Sequence, residues 1–455
     1  MDPKPPLDRS ITVDVVVIGG GYTGMWAAWE LLERGATVAL LEGEICGHGP
    51  SGRNGGFCES MWLSAPALRE RFGDAPARAL LDASSEGVSR VGAWCAAEGV
   101  DAWFDRSGYM CVSTAPAFDD VGRAAVEAAA ALGAPERVVE LSEADVRGRC
   151  ASPRFRGGVR VPDFATLQPA RLALGLRQRL IERGALIFEH SPVRGLRSLA
   201  AVHNGSDGGV TVETGGGSVR AGAVVLAVGA AARALPRLRS RLTVTSSHIV
   251  LTEPVPDVIA ELGWTGGECI TDGRTLVHYF RTTRDGRILL GWGGGRLAYG
   301  SRVDRRVEVD PEAARAARAA LVRLFPGLEG RRVTHAWGGP IDVSPSRLPQ
   351  LGTLPGAPVH YAFGYTGNGV GPSNLVGRTL ASLATGQADD LTRLPLVGAD
   401  AGAWVPPEPL TWLGGSLVRG ALVRRERIEE DGRRPDPLTR AVCAAPRAVG
   451  MHLAR

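Results

Sequence analysis

A chain of 455 residues, 44% hydrophobic and 22% charged, has room for two or three domains or one large composite domain, and reads as a soluble globular protein. Its net charge of +4 is small for this length and gives no sign of nucleic-acid binding, and Lys4 is its one lysine, so chemistry that needs a buried lysine has no residue to supply it. Seven cysteines, odd in number, widely spaced and without a CxxC pair, argue against a disulfide framework or a zinc site and for a reduced, cytoplasmic setting.

The opening "MDPKPPLDRS" lacks an apolar signal region, and no apolar run approaches the length of a membrane span. "VDVVVIG" follows, β-branched and apolar without alternation, as a strand buried on both faces requires. Gly19, Gly21 and Gly24 then form GxGxxG around Tyr22 and Thr23. A helical pattern runs through Leu32, and the second buried strand, "TVALLE", ends on Glu42. Strand, glycine loop, helix, strand and acid together predict a dinucleotide site. The helix N-terminus would hold a pyrophosphate and Glu42 a ribose hydroxyl, which points to FAD or NAD.

"EICGHGPSGRNGGF" comes directly after that strand, so it is expected beside the bound dinucleotide. Glycine lets other atoms approach the backbone closely. A wide, flat flavin ring needs such an approach, whereas NAD-binding folds usually enter another helix here. Ser51, Arg53, Asn54, Gly55 and Gly56 are the expected flavin-side residues, with Cys46 and Cys58 as small packing residues at the flanks.

Two later stretches, 86–158 and 241–333, read as a mostly antiparallel sheet with helices. "TLVHYFRTTRDGRILLGWGGG" is a hairpin turned at "RDG". Tyr279 and Arg281 lie two apart on its first strand and share a face. An arginine there could hold a substrate carboxylate through a bidentate pair. His248 and Arg296 are further candidates on this sheet, and Trp337 and Tyr365 are candidate pocket walls. Near the C-terminus, "VHYAFGY" reads as a strand and "TGNGVG" as a tight loop, with a helix after them. The amides around Gly367, Asn368, Gly369 and Val370 would point at the flavin's carbonyl edge and stabilise its reduced anion. The tail from 396 reads as a surface helix with a frayed, arginine-rich end. No metal site is expected.

"SGRNGG" after "GGGYTG…LLE" resembles the D-amino-acid-oxidase-like superfamily of FAD-dependent amine and amino-acid oxidoreductases, most of all its gamma-glutamylputrescine oxidoreductase group. "PARLALGLRQRLIERGALIFEHSPV", "VVLAVGAAA", "HAWGGPIDVSPSRLPQLG" and "HYAFGYTGNGVGPSNLVGRTLASLATG" extend the resemblance over nearly the whole chain. It implies an α/β Rossmann-like FAD-binding domain from segments 1–85, 159–240 and 334–395. A mostly antiparallel substrate-binding domain from 86–158 and 241–333 is interleaved with it, and 396–455 is a helical tail. It also implies an adenine contact at Val193, a cofactor-passing strand ending at Gly229, and a flavin-side Gly338. Asn368 stands where the family often has histidine. One branch tethers its flavin through a cysteine near the C-terminal motifs; none occurs here between Cys269 and Cys443, so non-covalent FAD is expected. The expected reaction is oxidation of the C–N bond of a small-molecule amine or amino acid. An NAD-dependent dehydrogenase and a flavin-bearing, non-catalytic partner-binding subunit stay open as alternatives. The residues leave the substrate, the electron acceptor and the oligomeric state undetermined.

Overall fold

The computed structural model describes residues 2–198, 209–303, 305–400, 402–448 and 450–451. The first predicted strand, Ser10–Ile18, is central to an eight-stranded sheet. It runs parallel to Ser218–Leu226 on one side and to Val38–Leu41 on the other, and Leu186–Phe188 continues the parallel set. Val359–Phe363 extends the other flank in parallel, and Gln350–Thr353 closes it antiparallel.

The non-alternating apolar run has a direct cause. Val15 and Val17 pack among the helices Tyr22–Glu33, Asp74–Ala97, Pro169–Glu182 and Val370–Ala384. Val16 and Ile18 point the other way, into a second core with Val224 and Leu226. A strand between two layers must be apolar on both faces. Register then fixes the site. Ile18 lies opposite Leu41 and Leu226, so the chain leaves three neighbouring strands at one edge. The first glycine loop, Glu42 with the second glycine loop, and the run to Gly229 all start there.

The second sheet also has eight strands, in the order Val333–Val343, Thr243–Thr252, Ile288–Trp292, His278–Thr282, Cys269–Asp272, Tyr109–Ser113, Gly157–Val161 and Val139–Leu141. Every pairing is antiparallel except Cys269–Asp272 with Tyr109–Ser113. The hairpin turns at "RDG" as expected, with Gly286 at φ +73°. The helix Pro311–Leu324 covers one face over Phe280, Leu290 and Phe325.

The expected segment edges fall inside elements. Residues 85 and 86 are mid-helix in Asp74–Ala97, and 158 and 159 are mid-strand in Gly157–Val161. The edge at 334 cuts Val333–Val343, all of which belongs to the antiparallel sheet. Gly338, expected on the flavin side, pairs with His248 in the ladder. Among the described residues, no helix is long and apolar enough to cross a membrane.

Candidate active site

A cavity of about 1570 Å³ is lined from both sheets. That exceeds the range of ordinary small-molecule pockets.

The first glycine loop is built by close packing. Gly19 has φ +104°, and a Cβ there would lie 2.4 Å from the carbonyl oxygen of Ala227. A Cβ on Gly24 would lie 2.0 Å from the carbonyl of Gly19, so this glycine holds the helix against the loop and does not line the cavity. Gly21 is the N-cap of Tyr22–Glu33 and offers no side-chain cap. Ser51 Oγ accepts from the Tyr22 N–H at 2.8 Å, placing the second loop on the helix N-terminus. The Glu42 carboxylate accepts from the N–H groups of Gly20 at 2.7 Å and Glu44 at 2.8 Å. Two amides aim it, and its remaining lone pairs face the cavity it lines.

The second loop is braced from within and from the facing sheet. The short helix Pro50–Arg53 ends at Asn54, whose Nδ2 donates to the Ser51 carbonyl at 2.9 Å while its Oδ1 accepts from the Gly56 N–H at 2.8 Å. Asn54 therefore shapes the loop. A Cβ on Gly55 would lie 2.9 Å from the Tyr279 ring, and one on Gly56, at φ +76°, 2.0 Å from the Leu167 carbonyl. Trp337 Nε1 donates to the Arg53 carbonyl at 2.8 Å, and the Arg53 side chain pairs with Glu308.

Tyr279 and Arg281 do share a face, but they meet different surroundings. Tyr279 lines the cavity with its hydroxyl 2.7 Å from Ser247 Oγ. Arg281 does not reach the cavity. It is 5% exposed and donates to the carbonyls of Gly55 at 2.6 Å, Leu167 at 2.8 Å and Thr282 at 3.1 Å. Burial pulls its pKa down to about 10, offset only in part by the charge of Asp285. The expected carboxylate reader is thus a strap on the flavin-side loop. Arg296 is also displaced from its expected role: it pairs with Asp310 at 2.9 Å and with Glu312, outside the cavity. His248 is buried against Ser246 Oγ and Gly338 and does not line the cavity.

The remaining expected residues converge. Thr23 Oγ1 and the Tyr365 hydroxyl meet at 2.7 Å on the cavity wall. Val193, Gly229, Gly338, Gly367 and Asn368 line it too. Gly369 caps the helix Val370–Ala384 with no side-chain bond, so the helix N-terminus opens toward the cavity.

Sequence reasoning missed several lining groups. Glu59 follows the strand Phe57–Cys58 and lies against that helix N-terminus, where the N–H groups of Val370 and Gly371 bond toward its carboxyl. Its other oxygen, Oε1, is buried without a partner, and burial pushes its pKa up to about 8. Asp342 accepts from the Gly364 N–H, and burial raises it to about 6. An acid inside the apolar run "GGFCESMW" was the one visible signal for Glu59. The tail, expected as a surface helix, is instead a cavity wall. Its helix Leu410–Glu430 contributes Gly414, Val418 and Leu422 to the lining. Arg419 Nε donates to the carbonyls of Gly294 and Gly295, and the Glu426 carboxyl accepts from the Leu276 N–H at 2.9 Å.

The family described as FAD dependent oxidoreductase matches residues 14–383. The chain is 30% identical over 393 residues to gamma-glutamylputrescine oxidoreductase of Escherichia coli, covering 85% of this chain and 87% of that protein. It is 27% identical over 387 residues to glycine oxidase of Geobacillus kaustophilus, covering 81% and 92%. The crystal structure of glycine oxidase from Geobacillus kaustophilus superimposes with a TM-score of 0.67 at 22% identity, over 86% of this chain and 99% of that one. None of these matches favours the NAD-dependent or non-catalytic alternative. A helix N-terminus whose cap residue is a glycine, an amide-aimed acid at the end of the second strand and a loop with no room for a Cβ at Gly55 or Gly56 converge on one cavity, in a chain that belongs to the family of FAD-dependent oxidoreductases.

Proposed function

We propose that this protein oxidises the C–N bond of a small-molecule amine or amino acid, giving an imine that hydrolyses, with FAD bound non-covalently. The flavin, when bound, supplies the hydride acceptor. The observation that carries the reading is the shared cavity: dinucleotide loops line it from one sheet and Tyr279, Ser247 and Trp337 from the other. In this reading Gly19, Gly21 and the N–H group of Thr23 receive the pyrophosphate together with Ser51, whose hydroxyl already takes the Tyr22 N–H. Glu42 takes the adenosine ribose, and Val193 packs on the adenine. Gly55, Gly56 and the Gly367–Val370 loop embrace the ring. Tyr279 and Trp337 wall the substrate space, so they position and desolvate the amine. The names of the relatives, a gamma-glutamylputrescine oxidoreductase and glycine oxidases, support an amine or amino acid as substrate class. All seven cysteines are free and buried, which suits a reduced cytoplasmic setting.

Acid precipitation of the purified protein is expected to leave yellow FAD in the supernatant, and at least one member of an amine and amino-acid panel should bleach the flavin under nitrogen. Colour held in the pellet would contradict the non-covalent link. A flavin that no panel member bleaches would contradict the reaction.

Glu42→Ala tests the cofactor geometry. A charge-assisted bond to a hydroxyl is worth about 1.5–3 kcal/mol. The variant should bind FAD roughly ten- to a hundred-fold more weakly while staying folded. Unchanged affinity in a titration of FAD-free protein would show that the carboxylate serves only the Gly20 and Glu44 amides.

A further inference from the structure

The arginines that line the cavity are mostly engaged. Arg53 pairs with Glu308, Arg274 with Asp272 and Glu430, and Arg419 donates to two carbonyls. Arg194 lines the rim and is exposed. Arg347 differs from all of these. It lines the cavity, burial pulls its pKa down, and no acid acts on it in the opposite direction. Its one hydrogen bond is through the backbone, from its N–H to the Ser344 carbonyl at 3.0 Å, and among the described residues its guanidinium has no partner.

The backbone at this position is also unusual. Arg347 has φ +61°, the left-handed region that an arginine adopts only at a cost in backbone strain. The turn is pinned on both sides: Ser344 Oγ donates to the Leu348 carbonyl at 2.8 Å, and the strand Gln350–Thr353 starts directly after it. The surroundings therefore hold a strained residue in place and leave its charge unmatched. A guanidinium does not escape burial by losing its proton. Arg347 is half-buried, and an unpaired charge in such a place is costly unless something supplies the counter-charge.

We infer that Arg347 is an anion-binding residue of the cavity, reserved for a planar, delocalised anion: the carboxylate of the substrate or the pyrimidine edge of the reduced flavin. This rests on the FAD and amine reading above. It moves the cavity's fixed positive charge from the expected Arg281 to a residue that faces the space.

The test uses Arg347→Met, Arg347→Gln and Arg347→Lys in three arms. In the first, benzoate and neutral benzamide are titrated into FAD-loaded protein and followed by flavin absorbance. If the carboxylate is the partner, the Met and Gln variants bind benzoate at least ten-fold more weakly, Lys restores part of the loss, and benzamide is unaffected. In the second, the midpoint potential of bound FAD is measured in carboxylate-free buffer. If the flavin edge is the partner, the potential falls by about 30 mV or more in the Met variant, a ten-fold change for a two-electron couple. Wild-type values in both arms would overturn the inference, whichever of the neutral variants folds. The third arm needs no cofactor. Heat stability of the FAD-free Met or Gln variant should equal or exceed that of FAD-free wild type, because an unpaired charge is removed from a half-buried site. A clear loss would show that the guanidinium has a structural partner and would overturn the inference by itself. Absence of FAD from the purified protein would instead count against the proposed function, and the third arm would still decide on Arg347.

Discussion

Arg281→Ala is expected to destabilise the protein by about 3–5 kcal/mol and to abolish tight FAD binding. Three carbonyls, those of Gly55, Leu167 and Thr282, lose a charged donor in a site that is 5% exposed. Hydrogen bonds to charged groups are worth about 1.5–3 kcal/mol, and a buried acceptor left bare costs about 1–3 kcal/mol. Removal of a desolvated cation returns part of that sum, so the net lies below the three bonds added together. The loss also has a place. Gly55 belongs to the second glycine loop, Leu167 follows the strand Ala165–Thr166, and Arg281 belongs to the antiparallel sheet. One side chain therefore ties the cofactor loop to the sheet that faces it. Urea unfolding of FAD-free protein and an FAD titration would measure both effects. For matched acid and amide substrates the variant should lose flavin-reduction rate equally, because Arg281 reads no charge. Normal stability with a loss confined to the acid would restore the substrate role and contradict the strap.

Why that role was misread, while the strand, helix and glycine turns around the first loop were legible, follows from the range of the interactions. Strand, GxGxxG, helix and Glu42 lie within one continuous stretch, and each constraint is local. Gly19 needs its positive φ, Gly24 leaves room for the carbonyl of Gly19, and Glu42 ends the neighbouring strand. The periodicity also placed Tyr279 and Arg281 on one face. It could not say what stands opposite each, because Arg281 meets a carbonyl 226 positions away and another 114 away. Arg347 was invisible for a related reason. "VSPSRLPQ" entered only as part of a longer family motif, and nothing local shows that its arginine lines a cavity without a partner. The tail read as surface because it ends in an arginine-rich run, and in the fold its helix buries only Leu422 and Glu426. Much of its remaining inner side faces the cavity instead of a core.

FAD-free protein should lose stability as pH rises from about 4.5 to about 8, and Glu59→Gln should remove much of that loss. The Glu59 carboxyl has a reference value of 4.5, and burial raises it to about 8 in the fold. The folded state therefore holds a proton that the unfolded chain releases. Unfolding releases that proton, so stability is fully present below the unfolded value and is lost as pH climbs toward the folded one. Each pH unit across the window is worth about 1.4 kcal/mol for one proton, and the whole span roughly 3–5 kcal/mol. The titratable groups that face Glu59 are the thiols of Cys58 and Cys269, both pushed up by burial, so neither supplies a charge in this range. Asp342, raised to about 6, and Glu426, raised to about 7, titrate in the same window and keep part of the slope in the variant. Urea unfolding at pH 5 and pH 8.5 separates the cases. Glutamine should match wild type at the lower pH and exceed it by a few kcal/mol at the higher one. Parallel curves for the two proteins would mean that Glu59 is ionised in the fold. Its charge would then oppose the positive end of Val370–Ala384, and that helix could not favour a reduced flavin anion as proposed.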